Sequence, residues 1–252
     1  MKLIILGAGK GERLWPLTQD KPKLLIEIGG TTLLEENLKW AEQTDEIDEV
    51  IIVTGYLNEV IEENLKIFKE KFKKIKITLD YNPFYDITNN LISVWLEKYV
   101  IKEYDFLITN GDNLYKKNIF KDFINFAEKD GIYVTIDYKN KYDLDDMKVI
   151  IDSNGFIKYI NKQIPSEKVS AESVGLCLVK GRKHREKFYK AIIELVKKRE
   201  YLNKFWLEIF NYLAKRRVKI VPFEIEANSW QELDFHPDIE LIKQIIFRKK
   251  DQ

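Results

Sequence analysis

Three glycines and two cations near the N-terminus form the pattern in this sequence that says most about chemistry. Gly7, Gly9 and Gly11 alternate with other residues directly after a short apolar run. Glycine allows positive φ angles and close approach of the backbone to a ligand, and successive amide N–H groups in such a turn bind anions. Arg13 and Lys23 follow downstream. Amides and cations in this order suit a polyphosphate, so the pattern points to a nucleoside triphosphate.

Two better-known glycine loops do not fit this pattern. The dinucleotide-binding fingerprint needs a glycine at its sixth position, which is Glu12 when the count starts at Gly7. The Walker loop needs a glycine five residues before its Gly-Lys pair, and counting back from Gly9-Lys10 gives Ile4. The loop therefore belongs to neither class.

The residues after the loop make the pattern specific. Arg13-Leu14 is followed by Pro16-Leu17-Thr18 and then by Pro22-Lys23. This string resembles the N-terminal signature of the sugar-phosphate and choline-phosphate nucleotidyltransferases, which reads G-x-G-x-R-L-x-P-L-T and then P-K. The sequence departs from the family at Glu12, where Thr or Ser is usual. We expect the Glu12 carboxylate to face solvent or a cation, because it would repel a triphosphate.

This resemblance implies that the loop, and the turn after the second predicted strand, bind phosphate and nucleotide. Arg13 would bind the β- and γ-phosphates through both arms of its guanidinium. Lys23 would neutralise charge at the reacting α-phosphate or at the acceptor phosphate. The nucleotide-binding residues implied in these two segments are Leu6, Gly7, Ala8, Gly9, Gly11, Arg13, Gly55 and Tyr56.

Two acidic side chains far apart in the sequence are candidates for a magnesium site. Asp112 follows a strand predicted over residues 106–109, and open α/β sheets bind ligands at the carboxyl ends of strands. Asp234 precedes a helix predicted to start near Pro237, with Glu232 either supporting it or facing away. The resemblance implies that Asp112 and Asp234 hold Mg²⁺, and carboxylate oxygens are ligands that suit this ion.

A second stretch, residues 81–95, resembles the choline-phosphate cytidylyltransferase branch, which carries Asn-Asn followed shortly by Ser. Through this resemblance Asn90 and Ser93 become candidates for recognising cytosine or for placing the acceptor. The alternative is structural, because Asn89 and Asn90 could cap the helix that follows them.

The acceptor is less well defined by the sequence. Lys148 is a candidate for binding the acceptor phosphate, with an ordinary surface residue as the alternative. A choline head group needs an aromatic cage, and the choline-phosphate branch has a Trp near the position of Met147. Tyr85 and Trp230 are aromatic candidates for acceptor binding, although each could be a core residue. The acceptor is therefore open between choline phosphate, other phosphorylated alcohols, phosphonates and sugar phosphates.

The hydrophobic pattern predicts the fold class. Short apolar runs alternate with helical patterns over the first half of the chain, which indicates parallel β-α-β units in a sheet covered on both faces. From about residue 133, successive strand patterns indicate an antiparallel extension. Together with the resemblance, this predicts a single nucleotidyltransferase domain over residues 1–252. Its expected fold is α/β and Rossmann-like, with three layers and a mostly parallel sheet.

Three local patterns predict details of the helices. Thr32 and Glu35 have the spacing of a capping box at a helix start. Asn58 is placed to cap the next helix, and one continuous helix is predicted over residues 91–99.

Composition limits the partners. The chain has 252 residues, and 42 Lys and Arg residues are balanced by 41 Asp and Glu residues, so no global charge draws it to nucleic acid or to an anionic membrane. No apolar run is long enough to span a bilayer. The single cysteine, Cys177, lies in an apolar run and is predicted to be a buried strand residue. We expect a cytoplasmic protein, with a homodimer left open.

Taken together, these features predict a Mg²⁺-dependent nucleotidyltransferase that uses CTP and a small phosphorylated or phosphonate acceptor. Lys23, Arg13 and Asp112 are the predicted catalytic residues. Three alternatives stay open. The first is a sugar-1-phosphate uridylyl-, thymidylyl- or guanylyltransferase of the same fold, and the second is a non-catalytic nucleotide sensor. The third is a nicotinamide-dependent oxidoreductase, which Glu12 in the third glycine position disfavours.

Overall fold

The computed structural model describes residues 1–250, with side chains through residue 244. Its contacts divide the chain into two compact units. The first unit comprises Met1–Ile87, Thr109–Asp122 and Asn228–Gln252, and the second comprises Thr88–Ile108 and Phe123–Ala227. Each unit is assembled from separate segments of the chain, and a single domain over the whole chain stays a prediction.

Apolar runs form the strands, and helices fill most of the longer connections. The strands are β1 (Lys2–Leu6), β2 (Glu27–Ile28), β3 (Thr31–Thr32), β4 (Glu49–Thr54), β5 (Lys76–Tyr81), β6 (Phe106–Asn110), β7 (Asn113–Tyr115), β8 (Gly131–Asp137), β9 (Lys148–Ile151), β10 (Ile157–Ile160), β11 (Ala171–Lys180), β12 (Val221–Glu224) and β13 (Trp230–Glu232). The helices are α1 (Leu33–Glu42), α2 (Asn58–Lys71), α3 (Asn90–Leu96), α4 (Lys98–Glu103), α5 (Ile119–Phe126), α6 (Arg182–Val196), α7 (Glu208–Lys215) and α8 (Asp238–Lys250). Among the described residues, no helix combines the length and the apolar character needed to cross a membrane.

Three parallel strands form the centre of the first unit. β4 pairs in parallel with β1 on one side and with β5 on the other. Leu3, Ile4 and Ile5 of β1 are fully buried, as expected for a parallel strand covered on both faces. The predicted capping box at the start of α1 is confirmed, because Glu35 N donates to the Thr32 hydroxyl and Thr32 N donates to the Glu35 carboxylate.

The second unit contains the antiparallel strands predicted for the later part of the chain. β11 pairs antiparallel with β8 and β9, β9 pairs antiparallel with β10, and β12 runs parallel to β8. Cys177 on β11 is fully buried, as predicted. The rings of Phe188, Trp206 and Phe210 pack edge to face in the core. A mainly parallel central sheet with added antiparallel strands confirms the predicted α/β class.

Two local helix predictions are wrong. α2 starts after Leu57, whose φ of 49° is left-handed, and Asn58 does not cap it. The Asn58 side chain instead accepts a hydrogen bond from the Thr54 hydroxyl at 2.5 Å, so a contact with β4 replaces the local cap. The helix predicted over residues 91–99 is interrupted at the buried Glu97, whose ψ of 10° ends α3.

Candidate active site

The glycine loop begins where β1 ends and is held against the end of β4. Gly7 N donates to a carbonyl of β4 at 2.9 Å, and Tyr56 N donates to Ala8 O at 3.0 Å. A Cβ atom at Gly7 would lie 2.2 Å from Leu24 Cδ1, so any larger residue here would require the Leu24 side chain to move. A Cβ atom at Gly9 would meet no heavy atom of the described residues within 4 Å. The loop is therefore open at Gly9, where a ligand can reach the backbone.

Thr18 fixes the backbone at the end of the loop. Gly11 has a φ of 64°, a left-handed conformation that favours glycine. The buried Thr18 hydroxyl donates to Gly11 O at 2.8 Å. Thr18 was not among the predicted site residues, although its place in the signature string is a signal that could have identified it.

Gly55 and Tyr56, implied by the resemblance, lie directly beside the loop. A Cβ atom at Gly55 would lie 2.6 Å from Ala8 O and 2.6 Å from Tyr85 Cβ. The Tyr56 and Tyr85 ring centroids are 6.5 Å apart. The structure therefore brings these two nucleotide-binding candidates and the acceptor-binding candidate Tyr85 together at the end of β4.

A cluster of two cations and two carboxylates adjoins the loop. Lys23 Nζ donates to Asp112 Oδ2 at 2.8 Å and to Asp234 Oδ1 at 2.9 Å. Arg13 Nη2 donates to the other oxygen of Asp234 at 2.8 Å, and its guanidinium carbon lies 4.8 Å from the centroid of the Phe235 ring. Four residues predicted from separate parts of the sequence therefore meet at one place, and each stays partly exposed to solvent.

The position of Asp112 follows from the backbone that precedes it. After β6 ends, Gly111 N donates to Leu6 O at 2.9 Å, which holds the start of the turn beside the end of β1. A Cβ atom at Gly111 would lie 2.8 Å from Leu6 O, so glycine is needed here. Asp112 is thereby fixed at the carboxyl end of β1, the edge predicted for ligand binding.

A short antiparallel ladder brings Asp234 to Asp112. β7 pairs with β13 in a register that places Glu232 opposite Asn113. One residue further on, Leu233 N donates to Asp112 O at 3.0 Å. This pairing between distant segments sets the distance between the two carboxylates.

The carboxylates also decide the charge of Lys23. Burial alone would lower the pKa of the Lys23 ammonium, but the charges of Asp112 and Asp234 and their hydrogen bonds raise this pKa above its ordinary value. Lys23 therefore stays protonated at neutral pH, as a positive charge between two negative ones.

The acidic side chains fit a divalent cation. Asp112, Glu232 and Asp234 each offer a carboxylate oxygen, and these oxygens lie within 4.8 Å of one another. Asp112 Oδ1 is buried and accepts no hydrogen bond from the residues that the structure describes, so this oxygen is available to an ion. Mg²⁺ prefers such oxygen ligands. The sequence left open whether Glu232 supports Asp234 or faces away from it, and this geometry favours the supporting position.

Asn90 and Ser93 both lie in the second unit. Asn90 N donates to Asn89 Oδ1 at 2.7 Å, which confirms that Asn89 caps α3. Asn90 Oδ1 accepts a hydrogen bond from Trp206 N at 2.9 Å, and Ser93 is buried. A contact of Asn90 or Ser93 with nucleotide stays a prediction.

The remaining acceptor-binding candidates have different surroundings. Lys148 on β9 is buried, and its Nζ donates to Lys162 O at 2.9 Å. The alternative of an ordinary surface residue is therefore wrong for Lys148. Trp230, in the first unit, starts β13 opposite Tyr115 and is half-buried. Acceptor binding by Lys148 and Trp230 stays a prediction.

The loop carries one further cation, Lys10, which was not among the predicted site residues. Lys10 Nζ pairs with Asp86 and lies 3.9 Å from a Glu12 carboxylate oxygen. Glu12 is exposed, so the expectation that it faces solvent or a cation is confirmed. The position of Lys10 between two loop glycines was the available signal.

Comparison with known proteins gives the family. A family model described as nucleotidyl transferase matches residues 2–146. The CTP:phosphoglutamine cytidylyltransferase of Campylobacter jejuni is 26% identical over 257 residues, covering 96% of this chain and 98% of that enzyme. The choline-phosphate cytidylyltransferase of Streptococcus pneumoniae is 32% identical over 159 residues, covering 61% of this chain and 65% of that enzyme.

A solved structure shares the fold. The chain is similar to the CTP:phosphocholine cytidylyltransferase from Streptococcus pneumoniae, with a TM-score of 0.77 and 22% sequence identity. The match covers 97% of this chain and 98% of the solved chain.

Proposed function

Because the chain belongs to the nucleotidyl transferase family, we propose that it transfers CMP from CTP to a small phosphorylated or phosphonate acceptor and releases pyrophosphate. The observation that carries the proposal is the cluster in which Lys23 and Arg13 meet Asp112 and Asp234 beside an open glycine loop. CTP is favoured among nucleotides because both sequence relatives described above are cytidylyltransferases.

The glycine loop and Arg13 bind the triphosphate in this proposal. Backbone N–H groups at the open side of the loop donate to phosphate oxygens. Arg13 is about half exposed, and its guanidinium turns from Asp234 to the β- and γ-phosphates when nucleotide binds. Gly55 and Tyr56 flank the nucleotide at the end of β4.

The chemical step needs no general base. The acceptor phosphate or phosphonate is already ionised at neutral pH, so one of its oxygens attacks the α-phosphorus in line. A new P–O bond forms as the bond to the pyrophosphate oxygen breaks. Lys23 places a fixed positive charge where negative charge accumulates, so catalysis consists of positioning and electrostatic stabilisation. Asp112 and Asp234 would hold Mg²⁺, which neutralises phosphate charge when it is bound.

A pyrophosphate-release matrix tests the reaction. Each common nucleoside triphosphate is paired with phosphocholine, phosphoglutamine, aminoethylphosphonate, polyol phosphates and sugar 1-phosphates. We expect release with CTP and one of the non-sugar acceptors. Release only with UTP, dTTP or GTP and a sugar 1-phosphate would establish the alternative transferase. Nucleotide binding without pyrophosphate from any pair would support a non-catalytic sensor.

Two substitutions test the assigned roles. Asp112→Ala and Lys23→Ala should each lower turnover by about 10²–10³, the usual effect of losing one preorganised charge contact, while far-UV circular dichroism stays normal. Lys71→Ala is the matched control, because Lys71 pairs with one carboxylate, Glu35, at 2.8 Å on the surface. Near-normal turnover of either site variant would contradict its role.

A further inference from the structure

Asp238 is hydrogen-bonded to the backbone of the segment that carries Asp234. Asp238 Oδ2 accepts a hydrogen bond from Asp234 N at 2.7 Å and another from Phe235 N at 2.6 Å. In return, Asp238 N donates to Phe235 O at 3.0 Å. One carboxylate oxygen therefore ties the first turn of α8 to two consecutive amides of the proposed site.

The segment is also fixed from its other side. Leu233 is fully buried, and its amide donates to Asp112 O at 3.0 Å. Asp234 therefore lies between one backbone contact to the Asp112 turn and one carboxylate contact to α8. The Phe235 amide donates to the same Asp238 oxygen, and the Phe235 ring packs against the Arg13 guanidinium. Asp238 thus constrains both the acidic side chain and the aromatic ring that contact Arg13.

We infer that Asp238 is a positioning residue for the proposed metal site, an inference that rests on the proposed function. The carboxylate oxygens of Asp112, Glu232 and Asp234 form the group that could surround an ion, and Asp238 acts on this group through the Asp234 backbone. Outer partners that orient metal ligands typically change metal affinity by about 10- to 100-fold when they are removed. Without the Asp238 carboxylate, the Asp234 backbone is less constrained. Metal binding must then order this backbone, which makes the free energy of metal binding less favourable.

Mn²⁺ binding measured by electron paramagnetic resonance without nucleotide tests this role. Asp238→Ala should weaken Mn²⁺ binding by about tenfold or more. Asp238→Asn should bind Mn²⁺ with nearly wild-type affinity, because the asparagine side-chain oxygen can accept hydrogen bonds from the same two amides. Unchanged affinity of Asp238→Ala would overturn the inference.

The competing explanation is that Asp238 only stabilises α8, since a carboxylate near a helix N-terminus is favourable in any case. Glu240→Ala is the matched control. It removes another acidic side chain of the first turn, one that pairs with Lys243 at 2.7 Å on the surface. We expect it to leave Mn²⁺ affinity unchanged. Equal weakening by Glu240→Ala and Asp238→Ala would show a general charge effect and overturn the positioning role.

A thermal melt separates helix stability from metal affinity. A lower Tm for Asp238→Ala with normal Mn²⁺ affinity would mean that Asp238 is a helix cap only. If Asp238→Ala does not fold, Asp238→Asn and Asp238→Ser are compared instead. The serine hydroxyl oxygen is one bond closer to the backbone than the Asp238 carboxylate oxygen, so we expect it to lose the Asp234 amide contact and Asp238→Ser to bind Mn²⁺ more weakly than Asp238→Asn. Equal affinities in these two variants would contradict the inference.

The same measurement shows which proposal fails. If the wild-type protein does not bind Mn²⁺, or if Asp234→Ala binds it normally, the metal site itself is wrong and the positioning role falls with it. If the wild type binds Mn²⁺, Asp234→Ala does not, and Asp238→Ala binds normally, only the positioning role is wrong.

Discussion

Lys23 lies where a cation would contact the carboxylates of both Asp112 and Asp234. Its Nζ is 2.8 Å from an Asp112 oxygen and 2.9 Å from an Asp234 oxygen, and these side chains are the proposed metal ligands. Two positive charges at bonding distance from the same oxygens repel each other strongly. We therefore expect that an ion held by these carboxylates would compete with the Lys23 ammonium, and that the ammonium would then be free to move toward the phosphate it is proposed to neutralise.

This competition predicts that removing the Lys23 charge changes Mn²⁺ affinity and turnover in opposite directions. Lys23→Met should lower turnover yet tighten Mn²⁺ binding in the absence of nucleotide by roughly tenfold, which corresponds to about 1.4 kcal/mol. Lys71→Met serves as the control, because its surface pair is separate from the cluster, and should change neither quantity. Weaker Mn²⁺ binding in Lys23→Met would show instead that the ammonium preorganises the carboxylates.

At the scale of elements, glycines let the end of β4 and the loop after β1 approach each other closely. A Cβ atom at Gly55 would lie 2.6 Å from a backbone oxygen, Ala8 O, and backbone cannot move aside as a side chain can. At Gly9 a Cβ atom would have open space among the described residues. The two glycines therefore serve different purposes, packing at Gly55 and access for a ligand at Gly9.

Alanine substitutions at Gly55 and Gly9 should distinguish the packing role of Gly55 from the ligand-access role of Gly9. Gly55→Ala is expected to cost about 1–3 kcal/mol of unfolding free energy, the usual penalty for forcing an extra carbon into a packed site. Gly9→Ala should leave stability nearly unchanged but raise the KM for CTP, because its methyl group occupies the open side of the loop. Urea unfolding and steady-state kinetics measure the two effects, and equal stability of the two variants would contradict this account.

The amino ends of the same strands are tied together by ion pairs. Glu49 at the start of β4 pairs with Lys2 of β1 at 3.0 Å and with Lys76 of β5 at 2.8 Å. Burial would raise the pKa of Glu49, but the hydrogen bonds from Lys76 and Lys2 lower it below its ordinary value of 4.5. The stabilisation from Glu49 is therefore present above pH 4.5 and is lost as the pH falls through the lower, folded-state pKa.

Glu49→Gln should make this pH dependence visible. We expect the variant to be less stable than wild type at neutral pH by about 1 kcal/mol, with the difference closing as the pH falls below the ordinary carboxyl range. Turnover at neutral pH should be normal, because Glu49 lies at the amino ends of the strands and the proposed site lies at their carboxyl ends. A difference in unfolding free energy that stays constant with pH would rule out the ion pairs as its source.

At the scale of the whole molecule, the proposed chemistry draws on the first unit. The glycine loop, both cations and both proposed metal ligands belong to that unit. The second unit carries Asn90, Ser93 and Lys148, the residues proposed for selecting the base or the acceptor. The three are buried or already hydrogen-bonded within their own unit.

Ligand-induced stabilisation tests the function on the intact chain. CTP with Mg²⁺ should raise the unfolding free energy by about 2.7 kcal/mol at 100 times its Kd, because it binds only the folded protein. NAD(H) should give no shift. Arg13→Ala should reduce the CTP shift, since it removes a cation from the triphosphate. A larger shift with NAD(H) than with CTP would favour the oxidoreductase alternative.

Features that depend on neighbouring residues could be predicted without a structure. The apolar run of β1, the glycine loop after it, the Thr32–Glu35 capping box and the position of Asp112 after a strand are all local patterns, and the structure reproduces them. The resemblance singled out Arg13, Lys23, Asp112 and Asp234, and these side chains are in contact in the structure. Hydrophobic periodicity and turn chemistry are encoded over short stretches of chain, so they can be read without a structure.

The folded structure was needed to show which partner each polar side chain takes. The Asn58 cap failed because Thr54 of β4 offers its side chain another partner. The contacts of Arg13 and Lys23 with Asp234 depend on where β13 is brought by pairing with β7. No local pattern specifies such a pairing, because its free energy comes from residues that are far apart along the chain and meet only after folding.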